Sequence, residues 1–332
     1  MTHISTGSRF TLDNHLEGED FGAALALDVR RGLSSTPKQL PPKYFYDAEG
    51  SALFERITGL AEYYPTRAER ALLERIAPEL MVRLRPSEIV ELGSGSASKT
   101  RVLLGAPSAP EHLRRYVPFD VSPTMIRDSS LALLAEFSFL QVHGVVGDFE
   151  RHLVRVPPSA GGRLVLFLGG TIGNLAHDER TRFLRKVSGL LAPGDHLLVG
   201  MDMVKEQATI EAAYDDAAGV TAAFNRNVLR VLNRELGAAF DTDAFAHRAF
   251  FNQQASRIEM HLVAREAQTV LIPALDMTVH LSAGESIWTE SSYKFTPDSA
   301  RTALADAGLA LDELFVHEIP AERFCLALAT LP

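Results

Sequence analysis

Glu88-Ile89-Val90-Glu91-Leu92-Gly93-Ser94-Gly95 is the stretch that decides the fold. A short apolar run stops at two closely spaced glycines, and residues 97–104 are compatible with a helix. A strand followed at once by a glycine turn and a helix is the opening of a βαβ unit. Glycines at that turn let the backbone approach a ligand closely, at the carboxyl end of the sheet where doubly wound folds bind nucleotides.

The same alternation continues outward. Residues 116–121 (YVPFDV) form a second apolar run, and Ser122-Pro123 supplies an N-cap and first-turn proline for a helix over 124–137. Residues 139–146 read as a third strand closed by Gly147-Asp148, and 163–168 (RLVLFL) as a fourth running into Gly169-Gly170-Thr171-Ile172-Gly173-Asn174. A helix over 178–191 stops at Pro193-Gly194, and 196–201 gives a fifth strand. Upstream, Thr66-Arg67-Ala68-Glu69 has the form of a capping box opening an amphipathic helix. Beyond residue 202 the pattern changes. Residues 205–236 read as helix interrupted at Gly219, and 257–265, 269–281 and 286–295 read as strands around turn-like sequence, which implies antiparallel pairing. A helix over 297–307 and strands over 309–317 and 323–331 close the chain.

At 332 residues the chain is long enough for about two domains at roughly 150 residues each. The expected division is discontinuous: 68–204 with 296–332 as a doubly wound, Rossmann-like α/β domain, and 1–67 with 205–295 as a second α+β domain. Apolar residues make up 46% and charged residues 23%, with mean hydropathy +0.01, a balance that supports a sizeable core. The formal charge of −9 argues against a nucleic-acid partner and against anchoring to anionic lipid. No apolar run approaches the ~20 residues that span a bilayer, and residues 1–14 lack the apolar core of a signal peptide. One cysteine, Cys325, permits no internal disulfide and fits a reducing cytosol. A cytoplasmic monomer is expected. The 11 histidines show no ligand spacing such as HExxH, so no metal is expected.

Four strand ends carry the chemistry. A dinucleotide fingerprint needs a third glycine beside the pyrophosphate, but Ser98 stands there. E-L-G-x-G without it favours S-adenosylmethionine, which has no phosphate; a plain tight turn is the alternative. Asp120 ends the second strand, where a carboxylate can hold both ribose hydroxyls, or cap the following helix beside Ser122. Asp148 and Phe149 end the third, where an acceptor and a ring suit an adenine. Asn174, in the turn after the fourth strand, offers one acceptor and two donors, suiting an amino acid's amine and carboxylate; the alternative is an ordinary asparagine in a glycine-rich turn. Glu290 and Ser292 share one face of a strand, either to bond an imidazole N–H or as a solvated face. The aromatics Tyr44, Phe45, Tyr46, Phe54, Tyr63 and Tyr64 are dense enough both to pack a core and to line a pocket.

Pro41 to Asp47 (PPKYFYD), Gly50-Ser51 to Phe54, Glu62 to Thr66 (EYYPT), Glu91 to Gly95, Pro118 to Val121 (PFDV), Thr171 to Leu175 (TIGNL) and Tyr214-Asp215-Asp216 to Phe224-Asn225 together resemble the histidine-specific Nα-methyltransferases of ergothioneine biosynthesis. The resemblance runs from about residue 25 to 328 and includes the inserted segment. It implies a class I S-adenosylmethionine-dependent methyltransferase fold and three successive methyl transfers to the α-amine of L-histidine, giving hercynine. It implies cofactor contacts at Gly93, Lys99, Asp120, Asp148 and Phe149. On the substrate side it implies Tyr46 and Gly169, with Tyr63, Asn174 and Tyr214 holding the amino acid's backbone end and Tyr63 and Asn174 taking the catalytic part. Met260 would pack on the imidazole ring, and Glu290 and Ser292 would read it. Gly170 and Tyr44 stand where relatives carry Ser and Trp, and neither removes a polar contact. Two other readings remain open: a methyltransferase for another amino acid or small amine such as tryptophan, and a catalytically silent cofactor-binding module.

Overall fold

The run Glu88–Leu92 is the centre of a nine-stranded sheet, and all five of its residues are buried. The computed structural model describes residues 2–5, 9–17, 21–159 and 161–332. The spatial order is Thr2–Ser5, Phe10–Asn14, Gln141–Val146, Arg115–Asp120, Glu88–Leu92, Arg163–Phe167, His196–Asp202, Phe324–Thr330 and Ala310–Val316. The six strands from Phe10–Asn14 to His196–Asp202 run parallel, Phe324–Thr330 is antiparallel to both of its neighbours, and Thr2–Ser5 is antiparallel to Phe10–Asn14. Continuous apolar runs suit strands covered on both faces. The chain order reverses between Glu88–Leu92 and Arg163–Phe167, the switch point at which such sheets open a ligand crevice. This is a doubly wound α/β architecture, as the resemblance implies.

Packing divides the chain into two compact units. One comprises residues 67–203 and 295–332 with the N-terminal strand; the other comprises residues 21–66 and 204–294. The expectation that everything before residue 68 joins the inserted unit is corrected for residues 10–14, which pair in parallel with Gln141–Val146. Phe10 and Leu12 bury alternate side chains, Arg9 donates to the carbonyls of Leu134 (2.9 Å) and Phe137 (3.1 Å), and Asp13 lies 2.8 Å from His143 Nε2. Residues 1, 6–8 and 18–20 of that segment lie outside the described residues.

The inserted unit sets four helices, Phe21–Leu33, Ala48–Thr58, Gln207–Tyr214 and Val220–Leu236, with a four-stranded sheet ordered Lys38–Gln39, Ser286–Tyr293, Arg257–Ala264, Phe245–Asn252. Gly219, at φ 72°, separates the last two helices. Asp216 caps the second of them by accepting from Val220 N–H (2.9 Å) and Thr221 N–H (2.7 Å). Burial works against its charge, but these N–H groups hold the carboxyl below its usual range. Asp216→Ala is therefore expected to cost about 1–2 kcal/mol of stability, read by urea or thermal unfolding. Two strand expectations are corrected. Residues 269–281 are a separate hairpin of Gln268–Ile272 and Met277–Leu281, broken at Pro273, with Asp276 at φ 45°. Phe245–Asn252 is a strand that the pattern did not reveal, because only Phe245 is fully buried along it.

Candidate active site

The residues expected on the cofactor side all belong to the doubly wound unit. Gly93 (φ 73°) and Gly95 (φ 47°) take left-handed turn conformations at the end of Glu88–Leu92, and a Cβ at either would meet no atom within 4 Å. The turn is tied to the neighbouring strand by Gly93 N–H and Ser94 N–H donating to Phe119 O at 2.8 and 3.2 Å. Asp120 tightens it further: Oδ2 accepts from Gly95 N–H (2.9 Å) and Oδ1 from Ser122 N–H (3.0 Å). The helix-cap reading of Asp120 is corrected: Ser122 caps the following helix, its Oγ accepting from Met125 N–H (3.3 Å), while each Asp120 oxygen keeps a second acceptor direction for a ligand. Gly147 N–H donates to Asp120 O (2.9 Å), setting Asp148 at the adjacent strand end, where its Oδ1 accepts from Glu150 N–H at 2.7 Å. Phe149 is half-buried and held edge-on by Phe183 (5.3 Å) and Phe167 (6.0 Å). Beneath the turn, burial pushes the Glu91 carboxyl up to about 7, and the Tyr116 hydroxyl donates to it. Open glycine backbone, paired acidic strand ends and a fixed ring fit an adenosyl sulfonium, and the third-glycine requirement of a pyrophosphate is absent. Among the described residues no group of three or more His, Cys, Asp or Glu could hold a metal ion.

Lys99, which directly precedes the helix Thr100–Leu104, does not stand alone. Its ammonium pairs with the fully buried Glu69, whose two oxygens each accept from Gly169 N–H at 2.9 Å. This corrects the capping-box reading. The helix spans Tyr64–Leu84, so Glu69 lies beyond its first turn and faces inward. Gly169 (φ 83°) and Gly170 (φ 67°) are successive left-handed residues that lead into the turn Thr171–Asn174. Asn174 is half-buried, and among the described residues its amide has no hydrogen-bond partner.

The remaining substrate-side residues come together in the inserted unit. Tyr46, Tyr63 and Tyr214 are joined through rings the sequence reading did not single out as site residues. Tyr46 meets Phe54 (5.5 Å) and Phe224 (5.4 Å), Phe54 meets Tyr63 (6.2 Å), and Tyr63 meets Tyr214 (6.2 Å). Edge-to-face contacts of this kind fix ring planes. The loop bearing Tyr46 is anchored by Asp47, which accepts from Gly50 N–H (2.8 Å) and Asn227 Nδ2 (2.7 Å). His247 is a satisfied core histidine: Asn225 donates to Nδ1 (2.9 Å), leaving Nε2–H for Tyr214 O at 2.8 Å.

Glu290 and Ser292 owe their placement to a β-bulge. Leu262 pairs with Ile287, His261 with Trp288, and Met260 with Glu290, so Thr289 is the extra residue. Strict alternation from the buried Ile287 would turn Glu290 to the opposite face. The bulge instead keeps Ile287, Glu290 and Ser292 on the face of Met260 and Ile258. Thr289 Oγ1 donates to Met260 O at 3.0 Å and pins it. The Glu290 side chain stays partly accessible, yet the protein crowded around its carboxyl pushes it up to about 7 against the pull of Lys294. Among the described residues that carboxyl has no hydrogen-bond partner.

Lys294 is the functional candidate that sequence reasoning missed. It is 3% exposed, donates to Tyr214 OH (3.0 Å) and Ser292 Oγ (3.1 Å), and lies 4.6 Å from the Tyr214 ring centre. An ammonium only donates, so both hydroxyl oxygens accept from it. One buried cation thus ties Tyr214 to Ser292. Lys294→Met is expected to raise KM for histidine about tenfold and leave KM for S-adenosylmethionine within twofold, the loss of one charge-assisted bond, measured by initial rates.

Residues 25–331 match the family model described as histidine-specific methyltransferase, SAM-dependent. The histidine N-alpha-methyltransferase of Mycolicibacterium smegmatis is 50% identical over 319 residues, covering 96% of this chain and 98% of that protein. The protein of the same name from Mycobacterium tuberculosis is 51% identical over 302 residues, covering 91% and 94%. Ergothioneine biosynthesis protein 1 of Neurospora crassa is 28% identical over 292 residues, 82% of this chain but 31% of that longer protein. On the match across nearly its whole length, this chain belongs to the histidine-specific, S-adenosylmethionine-dependent methyltransferases.

Proposed function

We propose that this protein methylates the α-amine of L-histidine three times in succession, giving hercynine, the first step of ergothioneine biosynthesis, and that it does so as a cytoplasmic monomer. The observation that carries the choice of histidine is Glu290: a carboxyl with no hydrogen-bond partner among the described residues, held beside Ser292 and opposite Met260. A partly recessed acceptor with an apolar wall suits an imidazole N–H and the face of its ring.

S-adenosylmethionine, when bound, supplies an electrophilic sulfonium methyl. Asp120 would take the ribose hydroxyls, Asp148 and Phe149 the adenine, and Lys99 the cofactor's carboxylate. The Asn174 amide oxygen would orient the substrate amine, and the Tyr63 and Tyr214 hydroxyls would hold its carboxylate. Free α-amines are largely protonated at neutral pH, with pKa values about 7.7–8.0 in peptides, so the neutral form must be the one engaged. Holding that amine in line is where much of the rate arises. The aromatic side chains Tyr63 and Tyr214 also suit the quaternary ammonium that accumulates as methyls are added.

Mass spectrometry of a reaction with L-histidine and S-adenosylmethionine tests the proposal. The expected products carry one, two and three added methyls, with the trimethylated form dominant at long times. A methylated product from another amino acid in a mixed panel, with histidine unchanged, would overturn it.

A further inference from the structure

Glu69 is the most completely buried member of a cluster built from four separate elements. It projects from the helix Tyr64–Leu84; Lys99 comes from the segment after the glycine turn, Gly169 from the end of Arg163–Phe167, and Gly200 from the strand His196–Asp202. Both Glu69 oxygens accept from Gly169 N–H, and one of them pairs with the Lys99 ammonium. The room for this carboxylate exists because residue 200 is glycine: a Cβ there would lie 2.0 Å from Glu69 Oε1. Lys99 Nζ in turn lies 3.4 Å from where a Gly169 Cβ would stand, so ammonium, carboxylate and turn are in mutual contact. A carboxylate taken wholly out of water is costly unless it is partnered, and here it has a backbone N–H, an ammonium and a glycine that leaves it room.

We propose that Glu69 is a positioning residue for methyl transfer, acting through Lys99 on the cofactor's carboxylate and through Gly169 on the turn that ends in Asn174. The inference rests on the roles given above to Lys99 and Asn174. One side chain thereby sets two distances at once. The Lys99 ammonium is fixed by one of its donors, and the two left-handed glycines that begin the 169–174 turn are held by their first N–H. A helix residue that only packed would need neither an ionic partner nor a glycine cleared for it.

The test is a double-mutant cycle read by calorimetric binding of S-adenosylhomocysteine. Glu69→Gln keeps an acceptor for Gly169 but removes the charge opposite Lys99. It is expected to weaken binding about tenfold, the size of one charge-assisted hydrogen bond, with KM for histidine changed less than threefold. Lys99→Met is expected to weaken it by a similar factor. Because either change breaks the same pair, the double variant should be no more than about twofold worse than the weaker single. Gly200→Ala, which drives a methyl into the carboxylate, should lower kcat, and Glu69→Asp with its shorter side chain should restore part of that loss in the Gly200→Ala background. Where Glu69→Gln gives too little folded protein, Glu69→Asp alone, which keeps the charge but withdraws it, reads the same binding constant. Binding within twofold of wild type in these Glu69 variants, or single effects that multiply in the double variant, would overturn the inference. A wild-type protein that binds S-adenosylhomocysteine but leaves histidine unmethylated would instead overturn the proposed reaction, and the two failures are separable.

Discussion

Asn174→Ala is expected to lower kcat/KM for histidine by at least about 100-fold, the cost of a small misplacement of reacting groups. The amide sits where the chain has been bent for it. Two successive glycines at φ 83° and 67° swing the backbone out of the strand, and the short turn Thr171–Asn174 ends on a half-buried side chain with no hydrogen-bond partner among the described residues. A polar group left open at the end of a rigid turn has its hydrogen bonds to give to a ligand. Removing it leaves the amine free to rotate away from the transfer line, so the loss should fall on kcat as well as KM, while S-adenosylhomocysteine binding stays near wild type. Initial rates and calorimetry together read this. Unchanged turnover and unchanged histidine affinity would remove Asn174 from the mechanism.

Glu290→Ala is expected to erode the choice of amino acid. Losing the acceptor for an imidazole N–H leaves a buried donor unpaired, worth roughly 1–3 kcal/mol, or about 5- to 150-fold in kcat/KM for histidine. Tryptophan, which gains nothing from that carboxylate in the same register, should lose less. Equal losses for both would reject the assignment. The pH dependence has a definite sign. With the carboxyl pushed up to about 7, the ionised acceptor forms as pH rises through neutrality, so histidine binding through Glu290 strengthens from pH 6 to 8. Deprotonation of the substrate's own amine and imidazole acts in both wild type and Glu290→Gln. The difference between their KM profiles isolates Glu290, and it should titrate near 7.

The central sheet was legible because its strands are short apolar runs that each stop at turn residues, as at Leu92-Gly93 and Leu168-Gly169. The strand Phe10–Asn14 was not, because its partner lies some 130 positions away, and a five-residue alternation carries no mark of the element it joins. The glycine turn, Asp120, Asp148 and Asn174 were readable as strand-end residues, a position with chemical meaning in any doubly wound fold. Glu69 was hidden by a local explanation that fitted equally well: a glutamate three residues after a threonine reads as a cap, and only the tertiary structure shows the helix starting earlier. Lys294 was hidden because lysine in a strand reads as a solvated face until its hydroxyl partners are known. Glu290 and Ser292 could be placed on one face by period 2, but not on the face of Ile287, since the inserted residue at Thr289 leaves no trace in the alternation.

The discontinuity of the sheet has a consequence for how the chain is assembled as it is made. The first two strands to emerge, Thr2–Ser5 and Phe10–Asn14, have only each other as partners until Gln141–Val146 has been synthesised. At the opposite side His196–Asp202 must wait for the whole of 204–294 to pass before Phe324–Thr330 arrives to cover its open backbone. During that interval a seven-residue strand with an apolar middle, six of whose residues end up buried, presents unpaired N–H and C=O groups along one side. The inserted unit meanwhile holds its own helices and sheet, and can condense in that window. A chain released before residue 310 would therefore keep its ligand-side strand ends and its inserted unit, yet carry a bare sheet edge able to pair with another nascent copy. The last two strands, which hold no proposed site residue, guard the protein against its own association.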